Sequence, residues 1–125
     1  MTIKELYDRI GGNYDQAVRV MKSDRLIDKY VRKLKSSNVG EMLTQAGESM
    51  DAGKLFESAH AMKGVCGNLG LTKMAEAASE ITEEFRPGSS RKLSDEEIGE
   101  RIQAFAALYA QAREGIERYE AESAQ

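Results

Sequence analysis

The stretch SDEEIGERIQAFAALYAQAREGIERY, residues 94–119, decides the fold. Its apolar residues Ile98, Ile102, Phe105, Tyr109, Ala112, Ile116 and Tyr119 alternate by four and three over three heptads. That spacing is the seam of a long helix packed on other helices. Ser94-Asp95-Glu96-Glu97 has the form of a capping box, with acidic residues in the first turn where the helix dipole favours them. The segment before it repeats the pattern. Leu71, Met74, Ala78, Ile81 and Phe85 are spaced 3, 4, 3, 4, and Arg86-Pro87-Gly88 stops the run.

Working back toward the N-terminus, the residues from about Lys54 to Leu69 form a third helical segment, with Gly70 at the expected C′ position. Asn38 is a plausible cap for a fourth, in which Val39, Met42, Leu43, Ala46 and Met50 line one side, ending near Asp51-Ala52-Gly53. Four antiparallel helices joined by short loops, each with one apolar stripe, specify an all-α, up-down four-helix bundle. The N-terminal third reads as shorter helices. Thr2 and Glu5 have capping-box spacing ahead of Ile3, Leu6, Tyr7 and Ile10, and Gly11-Gly12 ends that helix. Asn13 caps a second, with Ala17, Val18 and Met21 inward. Ser23 or Asp24 starts a third, carrying Leu26, Ile27, Tyr30, Val31 and Leu34. These helices are expected to pack across one end of the bundle, so that residues 1–125 form one domain with a helical cap over 1–37 and the bundle over 38–122.

Composition agrees with a single globular helical domain: 125 residues, 41% hydrophobic and 31% charged, one proline and no tryptophan. The net charge of −3, with both signs interspersed, counts against nucleic acid or an anionic membrane as partner. The lone Cys66 has no partner for an internal disulfide and falls on the core side of its helix, where an inert buried thiol is expected. No apolar run approaches the ~18 residues that cross a bilayer. Met1-Thr2-Ile3-Lys4-Glu5 has no signal-peptide core, and a cytoplasmic protein is expected.

The third segment holds the only histidine. At 3.6 residues per turn, Lys63, Gly64 and Gly67 fall within roughly 60° of His60, while Leu55, Met62, Cys66 and Leu69 fall opposite, with Val65 beside them. One side reads as core. The other presents a histidine, a lysine and two glycines. A glycine inside a helix costs about 1 kcal/mol relative to alanine, so two on one stripe imply that something large approaches the ring. Phe56, one turn before His60, either tucks sideways against a neighbouring helix or belongs to an apolar collar for a docking partner.

His60, Lys63, Gly64 and Gly70 together resemble the signature of the histidine-containing phosphotransfer (HPt) domain, a helix reading His-x-x-Lys-Gly with a further glycine downstream. Met62 stands where the family usually has leucine, a volume-conserving change, and Gly67 is smaller than the common residue. The resemblance covers roughly residues 39–120 in architecture and 56–70 in motif. It implies a phosphoryl carrier rather than an enzyme, in a multistep phosphorelay of two-component signalling. His60 would be the nucleophile that accepts a phosphoryl group from the aspartate of a response-regulator receiver domain and passes it to another receiver. Lys63 would offset charge on the phosphoryl oxygens, and Gly64, Gly67 and Phe56 would form the partner-access face. No cofactor or metal site of its own is implied, since Mg²⁺ is supplied by the receiver. A stand-alone monomer is expected, served by receivers and by a hybrid sensor kinase.

Other classes are weaker. A non-catalytic helical adaptor could use the same face without carrying phosphate. A metal hydrolase lacks ligands, for one His and one Cys give no zinc spacing and no catalytic triad. Glycines 64, 67 and 70 follow no strand and do not form a nucleotide loop. Glu83-Glu84 and Asp95-Glu96-Glu97 read as solvated helix ends.

Overall fold

Side-chain caps set most of the helix starts in this chain, whose computed structural model describes residues 1–123. Helix α1 spans Ile3–Ile10 and opens on a reciprocal capping box: Thr2 Oγ1 accepts from Glu5 N–H, and Glu5 Oε1 accepts from Thr2 N–H. Asn13 accepts from the amide of Gln16 to start α2 (Tyr14–Met21), and Ser23 accepts from Leu26 to start α3 (Asp24–Ser36). Then come α4 (Val39–Ser49), α5 (Ala52–Asn68), α6 (Thr72–Phe85) and α7 (Asp95–Ser123). Ser94 and Glu97 form the second reciprocal box, at the head of α7. No strand occurs among the described residues, and residues 124–125 of the expected domain lie outside them.

Helices α4, α5, α6 and α7 each pack on the next, and α7 returns to α4, closing the up-down bundle. Both heptad seams are buried along their whole length, Leu71 to Phe85 and Ile98 to Tyr119, in one hydrophobic core with Leu43, Leu55, Met62 and Cys66. The bundle helices differ greatly in length, and that difference accounts for the N-terminal third. Helix α7, with 29 residues, runs for about 43 Å, whereas α4, with 11, covers about 16 Å. The C-terminal half of α7 therefore carries its apolar stripe beyond α4. Helices α1 and α3 cover that overhang. Gly115 sits where α1 crosses, so close that a Cβ there would lie 2.4 Å from Ile10 Cγ2. Arg32 and Lys35 of α3 pair with Glu120, and Tyr119 donates to Asp28.

The C-terminus of α5 is tied into the same cap. Leu71 N–H donates to Cys66 C=O and Gly70 N–H to Gly67 C=O, the two bonds of a Schellman motif, with Gly70 at φ 69°. The buried Tyr7 hydroxyl donates to Leu69 C=O at 2.6 Å, and Asn13 N–H donates to Gly70 C=O at 2.8 Å. A side chain at Gly70 would combine positive φ with a Cβ 2.4 Å from the Asn13 carbonyl oxygen. Gly70→Ala should therefore lower stability by about 2 kcal/mol or more, read as an earlier urea midpoint with the helical signal kept. An unchanged midpoint would refute the tight joint between α2 and α5.

Several local expectations need correction. Asn38 makes no side-chain cap; the amide of Val39 donates to Ser37 Oγ instead. Helix α4 ends earlier than the Asp51-Ala52-Gly53 reading, with Met50 in the left-handed conformation at φ 52°. Asp51 caps the next helix by accepting from Lys54 N–H, so Ala52 and Gly53 belong to the first turn of α5. Met42 is 45% exposed and does not line the core side, because Leu43 beside it takes the core-facing position. Leu71 stands at the cap position, just ahead of α6.

Candidate functional site

The middle turns of α5 carry His60 into solvent, while Leu55, Ala59, Met62 and Cys66 of the same helix are buried. The Phe56 ring lies half-buried beside it, its centroid 5.3 Å from that of the imidazole at 33° between planes. Glycine plays two different parts in this protein. At Gly40 and Gly47 of α4 a Cβ would come within 2.5 Å of the Tyr109 ring and 2.8 Å of Ile102, so those glycines let helices approach. Gly64 and Gly67 have nothing within 4 Å of where a Cβ would stand, a freedom they share with Gly99 near the start of α7. Internal packing thus does not require either glycine on the histidine stripe. What they provide is a clear path to one turn of the helix on the C-terminal side of the ring.

Lys63 is placed on the same side but is not a free cation. Its ammonium lies 3.6 Å from Glu83 Oε1 on α6. The same carboxylate is gripped by Arg86, whose Nε and Nη2 donate to its two oxygens at 3.0 and 2.8 Å. The guanidinium also lies over the Phe56 ring, 5.6 Å from its centroid. Hydrogen bonding to Arg86, with the charges of Arg86 and Lys63 added, holds the Glu83 carboxyl below the ordinary carboxylate range. Glu83 and Glu84 lie at the solvated end of α6, as read from the sequence, and both are engaged as well. Glu84 accepts from the amides of Lys92 and Leu93 and so pins the α6–α7 loop.

Arg86 and Glu83 are the site residues that sequence reading missed. Arg86 precedes Pro87 and reads as part of a helix stop, and its i,i+3 relation to Glu83 was the available signal. Phe56 packs against the core, as its sideways reading has it, and its ring also lies beside the imidazole. Val65 does not lie with the core side of α5. It is 41% exposed, on the rim of a shallow apolar groove of about 280 Å³ between α3 and α5 that also involves Tyr30, Leu34 and Met62.

Cys66 is fully buried, and burial pushes its thiol up to about 12. At pH 8 the reactive thiolate is therefore suppressed in the folded chain. Iodoacetamide should label Cys66 only in denaturant, and fast native labelling, read by mass, would contradict the core placement. Among the described residues no group of three or more His, Cys, Asp or Glu side chains is placed to hold a metal ion. None of their helices is long and apolar enough to cross a membrane.

With this geometry in hand, the chain was compared with known proteins. The family model described as the Hpt domain matches residues 29–118. The chain belongs to the Hpt domain family. The match starts within α3 and takes in the whole of α4, α5 and α6 and most of α7. Searches of curated proteins and of solved structures gave no significant match. Hpt domains are phosphocarriers of phosphorelay signalling that work with receiver domains, and the all-helical bundle described above is the Hpt architecture.

Proposed function

We propose that His60 is the phosphoryl acceptor of this Hpt domain, loaded by the aspartyl phosphate of one receiver and discharged to the aspartate of another. The single observation that carries this reading is the exposure of the lone imidazole beside two glycines whose missing side chains would meet nothing in the fold. The step balances as an in-line displacement. An unprotonated ring nitrogen of His60 attacks phosphorus, an N–P bond forms, and the P–O bond to the receiver breaks. The carboxylate leaves with its electron pair, while the other ring nitrogen keeps its proton. The attacking ring nitrogen carries its own lone pair, so the step needs no dedicated base.

Lys63 stands one turn on and can offer its ammonium to the phosphoryl oxygens during and after transfer. Gly64, Gly67 and Phe56 form the access face in this reading. In this reading Mg²⁺ belongs to the receiver's acidic pocket and the chain brings no cofactor of its own. The domain acts in trans as a cytoplasmic monomeric carrier between separate receivers, one of which can belong to a hybrid sensor kinase. Mixing the protein with a receiver carrying labelled phosphoryl tests the reading. Label should appear on this chain in an acid-labile, alkali-stable form. Binding to the receiver without transfer of label would favour a non-catalytic adaptor.

A further inference from the structure

Two cations at this site share one anion. Lys63 reaches Glu83 from α5, Arg86 reaches it from the end of α6, and the Arg86 guanidinium covers the same Phe56 ring that lies beside His60. The pairs are solvent-accessible, with Lys63 at 39%, Arg86 at 41% and Glu83 at 54% side-chain exposure. Exposed ion pairs of this kind are weak, and their partners exchange readily. A phosphoryl group on a ring nitrogen brings close to two negative charges and three acceptor oxygens, more than a single carboxylate offers. Glu83 is thus the resident competitor for the cations that the phosphoryl group would recruit.

We infer that Glu83 is a positioning residue that tunes how strongly His60 holds a phosphoryl group, by keeping Lys63 and Arg86 occupied while the ring is bare and releasing them when it is loaded. The inference rests on the reading of His60 as acceptor and adds a setting to it. The carboxylate orders both side chains near the ring, so they need not be gathered from solvent at transfer. It also lowers the net gain on loading, because each new contact to the phosphoryl group replaces an existing one. The loaded state is then shallow enough for the group to move on to a second receiver.

Neutralising the competitor should deepen that state. In equilibrium mixtures with a phosphorylated receiver, Glu83→Gln should move the distribution of label toward this chain by about threefold to tenfold, as expected for two exposed pairs. Lys63→Ala should move it the other way. The decisive comparison is a cycle in which Glu83→Gln is introduced into Lys63→Ala/Arg86→Ala protein, where its effect should shrink below about twofold. A merely structural Glu83 would give no such dependence on its partners. Circular dichroism serves as the control, since substitution at an exposed pair should leave the helical signal unchanged. If the wild-type chain takes no label, the His60 reading fails. If it takes label but Glu83→Gln partitions like wild type, or the shift persists undiminished without the two cations, only the role of Glu83 is overturned.

Discussion

His60→Gln protein should take up no label from a phosphorylated receiver and should unfold at the same denaturant midpoint as the wild type. The loss is complete because the chain has no second imidazole to serve as acceptor. Glutamine keeps the length and polarity of the side chain but presents no nucleophile of comparable strength. Stability should stay within about 0.5 kcal/mol, since His60 is exposed and the core side of α5 is carried by Leu55, Ala59, Met62 and Cys66. Label on the variant would show that phosphate resides elsewhere. Collapse of the helical signal would show instead that the imidazole holds the bundle together.

Gly64→Gln separates function from folding in the opposite sense, because the two should change in opposite directions. A glutamine fits the helix better than glycine by about 0.5 kcal/mol, and its Cβ meets nothing within 4 Å, so the variant should be slightly more stable. Its side chain would fill the path along which a receiver reaches the ring. Transfer requires near-contact geometry between ring nitrogen and phosphorus, and a displacement of about 1 Å costs on the order of a hundredfold in rate. Loading should therefore slow by about tenfold to a hundredfold while the urea midpoint rises. Wild-type transfer in the variant would remove the close-approach argument. Reduced stability would mean that Gly64 serves packing, as Gly40 does at the Tyr109 ring.

The bundle was legible because heptad spacing survives any detail of packing: every residue of the two seams, from Leu71 to Phe85 and from Ile98 to Tyr119, is buried. Caps with a side-chain oxygen three residues before the amide it serves, at Thr2, Asn13, Ser23 and Ser94, were equally readable. Asn38 failed because Ser37 next to it supplies the oxygen, a choice between neighbours that spacing cannot make. Val65 and Met42 failed because a helical wheel gives direction but not the extent of the neighbouring helix. Their directions open onto shallow grooves rather than onto a partner. The motif residues of α5 could be found from local spacing alone. Glu83 and Arg86 lie more than twenty residues beyond the histidine, and they join its surroundings only when α6 folds back antiparallel to α5. Their i,i+3 spacing signals the pair, but its place beside the histidine is a property of the fold.

The N-terminal third is tied to the same helix. Tyr7, Asn13 and Gln16 bond the carbonyls of Leu69, Gly70 and Gly67 at the C-terminus of α5. The helix that carries His60 is therefore anchored at its C-terminal end, beyond the exposed imidazole.

The most direct test is to locate the phosphoryl group itself. The chain, loaded by a phosphorylated receiver and kept at alkaline pH, would be examined by ³¹P and ¹⁵N nuclear magnetic resonance with label in the imidazole ring. A phosphorus–nitrogen coupling to a ring nitrogen of His60, with the helical amide spectrum retained, is the predicted result. Phosphorus bonded to oxygen, or a loaded mixture in which the His60 ring signals do not move, would contradict the account.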